Sequence, residues 1–181
     1  MPSTRSSTAR AKAPAAKKST STRSGAAASD ALALLENDHK EVRKLFKAYE
    51  KLAKDEAGSD ERLEMAQQIC EMLTVHAEIE EEIFYPAMRA ALDADDLLDE
   101  AEVEHASAKE LIAQIEAMDA DDDLFDAKVK VLGEYVDHHV QEEENEMFPK
   151  ARKAKLDLEE LGTELQERKA EMMGEAQEEE G

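Results

Sequence analysis

Two segments, one in each half of the chain, combine an imidazole and a carboxylate at the same spacing. The first contains His76 and Glu80, the second contains His139 and Glu143, and a proline follows ten residues after each histidine. Because residues i and i+4 lie on one face of a helix, each segment directs its imidazole and its carboxylate at the same point. Two such pairs facing each other would form a metal site with nitrogen and oxygen ligands between helices.

A second pair of histidines repeats along the chain in the same manner. His39 precedes the first segment and His105 precedes the second, and an acidic residue stands directly before each of them, Asp38 and Glu104. The first half of the chain thus resembles the second half. The repeat predicts two helical hairpins related by a pseudo-twofold axis.

Four stripes of apolar residues, spaced by three and four positions, surround these groups. They cover residues 32–53, 66–87, 98–115 and 125–150, and breaks at 58–60, 93–96 and 119–123 separate them. Spacings of three and four indicate helices with one face in a core. Ser29 or Asp30 would cap the first helix. We therefore predict an all-α fold, an up-down-up-down four-helix bundle with short loops.

The ends of the predicted helices carry further signals. Pro86 and Pro149 each follow a His-x-x-x-Glu segment, so we expect a kinked or terminating final turn at both. Leucines at 156, 158, 161 and 165 predict a short extra C-terminal helix over 155–173, followed by an acidic, fraying end from about residue 174. The predicted domains are a basic tail (1–29), a metal-binding bundle (30–153) and a C-terminal helix with acidic tail (154–181).

Charge divides the chain into two parts. Residues 1–29 hold six of the 23 basic residues and none of the 45 acidic ones, so the remainder carries a net charge of −28. So acidic a body is a poor nucleic-acid binder. The Ser-, Ala-, Lys- and Arg-rich tail is predicted to be disordered. It fits a solvated extension, a weak tether to nucleic acid or an anionic surface, or a segment resembling a transit peptide.

Other bulk features limit the class of protein. No apolar run is long enough to span a bilayer, so we expect a soluble, cytoplasmic protein with no membrane span. The single cysteine, Cys70, excludes a disulfide within the chain and falls among apolar residues, which predicts a buried thiol. The sequence does not indicate an oligomeric state.

Six polar residues fall on the apolar stripes, and they form the candidate metal site: His39, His76, Glu80, His105, His139 and Glu143. A buried carboxylate without a partner costs several kcal/mol, and a cation satisfies two of them directly. The absence of thiolate argues against structural zinc, and the imidazoles argue against calcium. The ligand set favours iron or manganese, as a pair, with each carboxylate bridging the ions and two imidazoles on each ion.

These motifs resemble those of the hemerythrin-like HHE cation-binding family over about residues 30–153. The resemblance rests on Asp38-His39, on His76-x-x-x-Glu80 with Phe84-Tyr85-Pro86, on Glu104-His105, and on His138-His139-x-x-x-Glu143 with Phe148-Pro149. It implies a four-helix bundle with a non-haem di-iron centre, two iron ions per chain bridged by carboxylates and by an oxo or hydroxo group. The six residues above occupy the family's ligand positions.

The chain departs from the oxygen-carrying members of that family at one position. Those proteins place a fifth histidine on the third helix, whereas the residues one turn either side of His105 are Ala101 and Lys109. The set is therefore short by one imidazole, which water, a tyrosine or another carboxylate would replace. This departure favours a more open, reactive or sensing site over reversible oxygen carriage.

Neighbouring polar residues receive lesser roles. His138 points about 100° away from His139 on an ideal helix, which suits an outer partner or a surface residue. The three tyrosines, Tyr49, Tyr85 and Tyr135, are within reach of the site but more often pack in a core. A further set of glutamates is expected to form mostly a solvated face, with one as an outer partner: Glu81, Glu82, Glu142 and Glu144.

Three functions are consistent with the sequence. The first is a di-iron protein that binds or senses O2, NO, peroxide or iron. The second is an enzyme that decomposes peroxide at the same centre; no catalytic residue is assigned. The third is a metal-independent helical interaction module, in which replacing His76 and Glu80 would leave the function intact.

Overall fold

A computed structural model describes residues 30–92 and 95–179, and all regular structure within these ranges is helical. The basic tail predicted for residues 1–29 lies outside the described residues. The elements are α1 (Ala31–Lys54), α2 (Ser59–Ile79), a π-helical turn π1 (Glu80–Phe84), α3 (Tyr85–Ala91), α4 (Asp95–Glu116), α5 (Phe125–Glu142), a second π-helical turn π2 (Glu143–Met147), α6 (Phe148–Lys153) and α7 (Leu158–Glu179).

These elements form four long rods and one extra helix. α2, π1 and α3 continue into one another, as do α5, π2 and α6. α1 packs on α2 and α5, and α4 packs on the same two helices, so the four rods enclose a common core. The predicted four-helix bundle with an additional C-terminal helix is confirmed. The additional helix is 22 residues long and continues beyond the expected end near residue 173, since glutamate, alanine and glutamine at its end favour helix.

The helix starts follow local capping chemistry. The side chain of Asp30 accepts a hydrogen bond of 2.8 Å from the backbone N–H of Ala33, so Asp30 is the cap that the sequence left open between two residues. α2 starts at Ser59 directly after Gly58, at the predicted break. α1 and α2 therefore form the first of the two predicted hairpins.

The two prolines lie directly after the π-helical turns. The backbone N–H of Tyr85 bonds to the carbonyl of Glu80, and that of Phe148 bonds to the carbonyl of Glu143, five residues back in both cases. Pro86 and Pro149 stand in the first turn of α3 and α6, directly after the widened turn, where the change of bonding pattern accommodates a residue without an N–H. The expected kink or end of helix is thus a single widened turn, after which the helix continues.

A polar layer divides the core into two apolar clusters. One cluster contains the start of α1, the π-helical turns, α3, α6 and Leu165 of α7. The other contains the later turns of α1, most of α2 and the facing turns of α4 and α5, including the buried Cys70. Along α1, α2 and α4 the site histidine lies between residues of one cluster and residues of the other, and His139 of α5 lies beside Val140 of the second cluster. The imidazole layer therefore has apolar clusters on both sides.

α7 closes the end of the bundle at the π-helical turns. It packs on α1, α2 and π1. Leu165 is fully buried in the first apolar cluster, and Leu161 and Met172 pack on the same cluster. No helix within 30–92 or 95–179 is long and apolar enough to cross a membrane.

Replacement of Leu165 by alanine tests whether α7 is part of the cooperative core. Removing a fully buried leucine leaves a cavity, so Leu165→Ala should lower the free energy of unfolding by about 2–5 kcal/mol, measured by urea denaturation. The matched control is Gln166→Ala, because Gln166 is exposed on the same helix and should change stability by less than about 0.5 kcal/mol. Equal, small effects of both changes would mean that α7 contributes nothing to the core.

Candidate metal centre

The structure brings all six predicted ligand residues to one place in the bundle. Each rod supplies an imidazole, and the two π-helical turns supply the carboxylates as their first residues. None of the six is more than 7% exposed. The set consists of His39 on α1, His76 on α2, Glu80 on π1, His105 on α4, His139 on α5 and Glu143 on π2.

The donor atoms fall into two groups that share a carboxylate. One group contains His39, His76, Glu80 and Glu143, each of which offers one atom within 4.8 Å of the others. The second group contains Glu80 with His105 and His139. The two groups overlap at Glu80, so each could hold a cation.

The Glu80 carboxylate lies between imidazoles of different rods. Its Oε2 is 3.3 Å from Nε2 of His76 and 3.5 Å from Nε2 of His105. Ligand atoms that sit about 2.1 Å from one ion at right angles are about 3 Å apart, so these distances suit a shared cation.

Glu143 takes the corresponding position on the other side. Its Oε2 is 3.2 Å from Nε2 of His39 and 3.6 Å from Nε2 of His139. The Nε2 atoms of His105 and His139 are 3.0 Å apart. Each carboxylate therefore contacts one imidazole from each hairpin.

Two of the imidazoles face a glutamate through the opposite ring nitrogen. Nδ1 of His39 is 3.0 Å from Oε1 of Glu144, and Nδ1 of His105 is 3.0 Å from Oε1 of Glu81. A carboxylate at Nδ1 holds the proton there and leaves Nε2 free to bind a metal. The sequence predicted one outer partner among the nearby glutamates, and the structure places two in that role.

The other two imidazoles face the acidic residues that precede the histidines of the neighbouring rods. Nδ1 of His139 is 2.7 Å from Oε2 of Glu104. Nδ1 of His76 is 3.6 Å from Oδ2 of Asp38, which is longer than a hydrogen bond. The other oxygen of Asp38 accepts a hydrogen bond of 2.5 Å from Lys169 of α7.

Tyr85 is the tyrosine that reaches the site. Its hydroxyl donates a hydrogen bond of 2.9 Å to Oε1 of Glu143 and lies 3.3 Å from Nε2 of His105. Phe148 occupies the equivalent position in the second half of the chain, directly before Pro149, and stacks on His39 with ring centroids 5.7 Å apart. Tyr85 follows Glu80 by five residues, so it reaches the site because π1 adds one residue to that turn.

Other candidates lie away from the six donors. The side chain of His138 is 66% exposed and approaches Glu104 and Glu142, as its position beside His139 predicted. The Tyr49 hydroxyl donates instead to Asp126 at 2.6 Å. Tyr135 is exposed.

The electrostatics of the two central carboxylates differ. Burial, together with the nearby charge of Glu143, raises the pKa of Glu80 well above its ordinary value. Burial also opposes ionisation of Glu143, but the close approach of His39 and the other surrounding imidazoles outweigh it and hold its pKa at about 2. Burial, with His139 close by, lowers the pKa of His105 to about 4, so that ring is a neutral ligand at pH 7.

Seven buried polar atoms within the described part of the chain have no hydrogen-bond partner, and all belong to this cluster. They are Oδ2 of Asp38, Nε2 of His39, both ring nitrogens of His76, both oxygens of Glu80 and Oε2 of Glu143. Such groups are expensive to bury unless something else binds them. A cation among them would satisfy the Nε2 and carboxylate atoms together, so these residues fit a metal.

Comparison with known proteins points in the same direction. The family model for the hemerythrin HHE cation binding domain matches residues 30–151. A crystal structure of a hemerythrin HHE cation binding domain-containing protein, the Rv2633c homolog from Mycobacterium kansasii, superposes with a TM-score of 0.69. That superposition covers 82% of this chain and 90% of the other, at 24% sequence identity. It shows that the two proteins share a fold.

A curated protein is also similar over part of the chain. A DNA nickase from Nostoc sp. (strain PCC 7120 / SAG 25.82 / UTEX 2576) is 37% identical over 84 residues. The match includes 45% of this chain but only 23% of the nickase. This chain therefore spans less than a quarter of that relative.

Replacement of Glu80 by glutamine should stabilise the chain when metal is withheld. The raised pKa means that the folded chain holds a proton on Glu80 more tightly than the unfolded chain does, so this group costs stability at any pH above its ordinary value. Glu80→Gln removes that cost, and we expect a gain of about 1–3 kcal/mol in urea unfolding with chelator at pH 7.

The exposed Glu71 of the same rod provides the control, and Glu71→Gln should change stability by less than about 0.5 kcal/mol. With metal present the order should reverse, because Glu80→Gln removes a ligand. Loss of stability in Glu80→Gln with chelator would instead identify Glu80 as a structural hydrogen-bonding residue.

Proposed function

This chain belongs to the hemerythrin HHE cation binding domain family, and we propose that its His/Glu cluster is a non-haem di-iron centre that binds or senses a small ligand such as O2, NO or peroxide. Family membership and the buried His/Glu groups together indicate a metal-binding site. What we propose beyond a metal-binding site is that the metal is iron, that two ions are bound, and that they bind a small ligand.

The observation that carries the proposal is the position of the two carboxylates. Glu80 and Glu143 each lie within 3.6 Å of imidazoles from both hairpins. A single ion needs one such carboxylate, whereas two carboxylates between two pairs of imidazoles suit a bridged pair. A mixed imidazole and carboxylate set in a four-helix bundle suits iron.

A pair of iron ions would supply redox-active centres with positions open to a small ligand. The chain's own residues would prepare the site for it. Carboxylates at Nδ1 hold His39, His105 and His139 with Nε2 directed inward. Tyr85 fixes one oxygen of Glu143 by donating its hydroxyl proton, and the hydroxyl oxygen lies beside His105. Apolar clusters pack on both sides of the layer and limit the polar groups that reach it.

The third rod favours a reactive or sensing site over an oxygen carrier. Ala101 and Lys109 are the residues one turn from His105, and Lys109 donates a hydrogen bond of 2.7 Å to Glu81. α4 carries no second imidazole beside His105. The Tyr85 hydroxyl is the polar group that lies next to Nε2 of His105. This observation also supports the alternative function, decomposition of peroxide into water and O2.

The similarity to a DNA nickase does not lead us to propose action on DNA. The match spans a small part of that protein, and the chain outside residues 1–29 carries a net charge of −28. Phosphate backbones repel a surface of this sign.

Metal content and the optical spectrum test the di-iron proposal directly. Protein purified from iron-replete cells should contain about two irons per chain and absorb in the near ultraviolet and visible. The double variant His76→Ala/His139→Ala should lose both signals, since it removes one imidazole from each hairpin. His138→Ala is the matched control: it removes the exposed neighbour of His139 and should keep the full iron content.

A metal-free wild-type protein that folds equally well with and without His76 and His139 would exclude the di-iron centre. The metal-independent interaction module would then be the better hypothesis. Adding peroxide to the iron-loaded sample separates the two remaining functions. Sustained release of O2 identifies an enzyme, and a spectral change without turnover identifies a binding or sensing protein.

Tyr85→Phe tests the contribution of the tyrosine hydroxyl. Phenylalanine already occupies the equivalent position 148, so the ring should fit, and only the hydrogen bond to Glu143 is lost. Loss of an outer hydrogen bond to a ligand should weaken iron binding about 10- to 100-fold in competition with a chelator. Tyr135→Phe, at an exposed ring, should leave the affinity unchanged. Equal affinities of both variants would remove Tyr85 from the site.

A further inference from the structure

A cavity of about 260 Å³ adjoins the imidazole layer. Its floor includes all four metal-site histidines. Most of the other walls come from the next turns of the four long rods, on the side of the imidazoles away from Glu80 and Glu143, and are apolar: Val42, Met72, Leu73, Ala108, Ile112 and Val136. The cavity thus extends from the candidate metal centre into the second apolar cluster.

Most polar side chains around this cavity are engaged elsewhere. The exception is Oδ2 of the buried Asp38, whose other oxygen is paired with Lys169. The Ser107 hydroxyl donates to the carbonyl of Val103 at 3.0 Å. Lys109 is bonded to Glu81, and Glu104 faces the Nδ1 atom of His139. An occupant therefore meets mainly apolar walls and the imidazole faces that point away from Glu80 and Glu143, and the lining offers no unpaired cation to an anionic occupant.

The volume exceeds what a diatomic molecule or peroxide needs. A cavity of about 150 Å³ lined by aliphatic residues stays dry and accepts benzene, a molecule of six carbons. By proportion, a cavity of 260 Å³ holds a molecule of roughly ten carbon atoms. An apolar space of that size next to buried ligand groups is costly to leave empty.

The cavity also has an entrance of suitable character. Its exposed lining residues all belong to α4 and α5, which places the opening between these two rods. Val103 is 67% exposed and Tyr135 is 52% exposed, although both have large apolar side chains. Exposed apolar groups at the rim of a pocket are typical of a ligand entrance.

We propose that this cavity binds an uncharged, mainly apolar organic molecule of about ten carbon atoms and holds it against the imidazoles of the metal centre. The proposal goes beyond the di-iron function and does not depend on it, because the cavity's size, lining and entrance are properties of the chain. A site of this kind gives the protein an organic ligand in addition to any small inorganic one.

Equilibrium dialysis of naphthalene against the purified full-length protein tests the proposal. We expect saturable binding of one naphthalene per chain, with competition by indole. The charged analogue 2-naphthoate should bind at least tenfold more weakly, since its carboxylate would be buried without a partner in an acidic protein. Absence of saturable naphthalene binding, or equal binding of 2-naphthoate, would overturn the proposal.

Two variants locate the binding site. Ala108→Phe and Val136→Phe fill the cavity from the two neighbouring rods that flank its opening, so each should weaken naphthalene binding at least tenfold. Ala106→Phe adds the same ring on the exposed face of α4 and should bind as the wild type does. Circular dichroism identifies a variant that fails to fold, and the other filling variant then decides. Wild-type affinity in a folded filling variant would place naphthalene elsewhere and refute the assignment.

Counting iron on the same samples separates this proposal from the di-iron function. Naphthalene binding to a chain without iron would support the cavity site and contradict the metal centre. Iron without naphthalene binding would do the reverse.

Discussion

The structure depends on the burial of two carboxylates at one point in an apolar core. Glu80 and Glu143 are at most 1% exposed, and three of their four oxygens have no hydrogen-bond partner among the described residues. Apolar clusters pack on both sides of this layer. The bundle therefore places its most expensive groups where a cation would relieve the cost, so any metal bound there would also stabilise the fold.

The internal repeat explains how one chain builds both halves of such a site. The glutamate that follows each central carboxylate bonds a histidine of the neighbouring rod: Glu81 bonds His105, and Glu144 bonds His39. A basic side chain in turn donates a hydrogen bond to each of these glutamates. Lys109, one turn after His105, bonds Glu81, and Arg43, one turn after His39, bonds Glu144. The pseudo-twofold relation thus extends from the ligands through two further layers of contacts, which fixes the imidazoles before any metal arrives.

The features predicted from the sequence are those that depend on the spacing of residues along a helix. Helical spacing placed His76 and Glu80 on one face, and the repeat placed their counterparts opposite, so the bundle and the convergence of the six residues followed. The π-helical turns were not predicted, because they depend on the wider bonding that precedes Pro86 and Pro149. For the same reason the sequence could not distinguish Tyr85 from the other two tyrosines. The cavity has no sequence signature, since its walls are ordinary apolar positions whose side chains do not fill the space between rods.

The two halves of the repeat differ at one position next to the site, which is Tyr85 in the first half and Phe148 in the second. Tyr85 places a hydroxyl beside Glu143 and His105, whereas its counterpart Phe148 places a bare ring on His39. Two ions in this layer would therefore be chemically unequal, one beside a hydrogen-bond donor and one beside an apolar ring. The Tyr85 proton is donated to Glu143, so the hydroxyl changes the polarity around that carboxylate and His105, whereas the Phe148 ring leaves the surroundings of His39 apolar. The repeated histidines and glutamates bring the candidate donor atoms together. The Tyr85 and Phe148 pair makes the two sides of this layer chemically different.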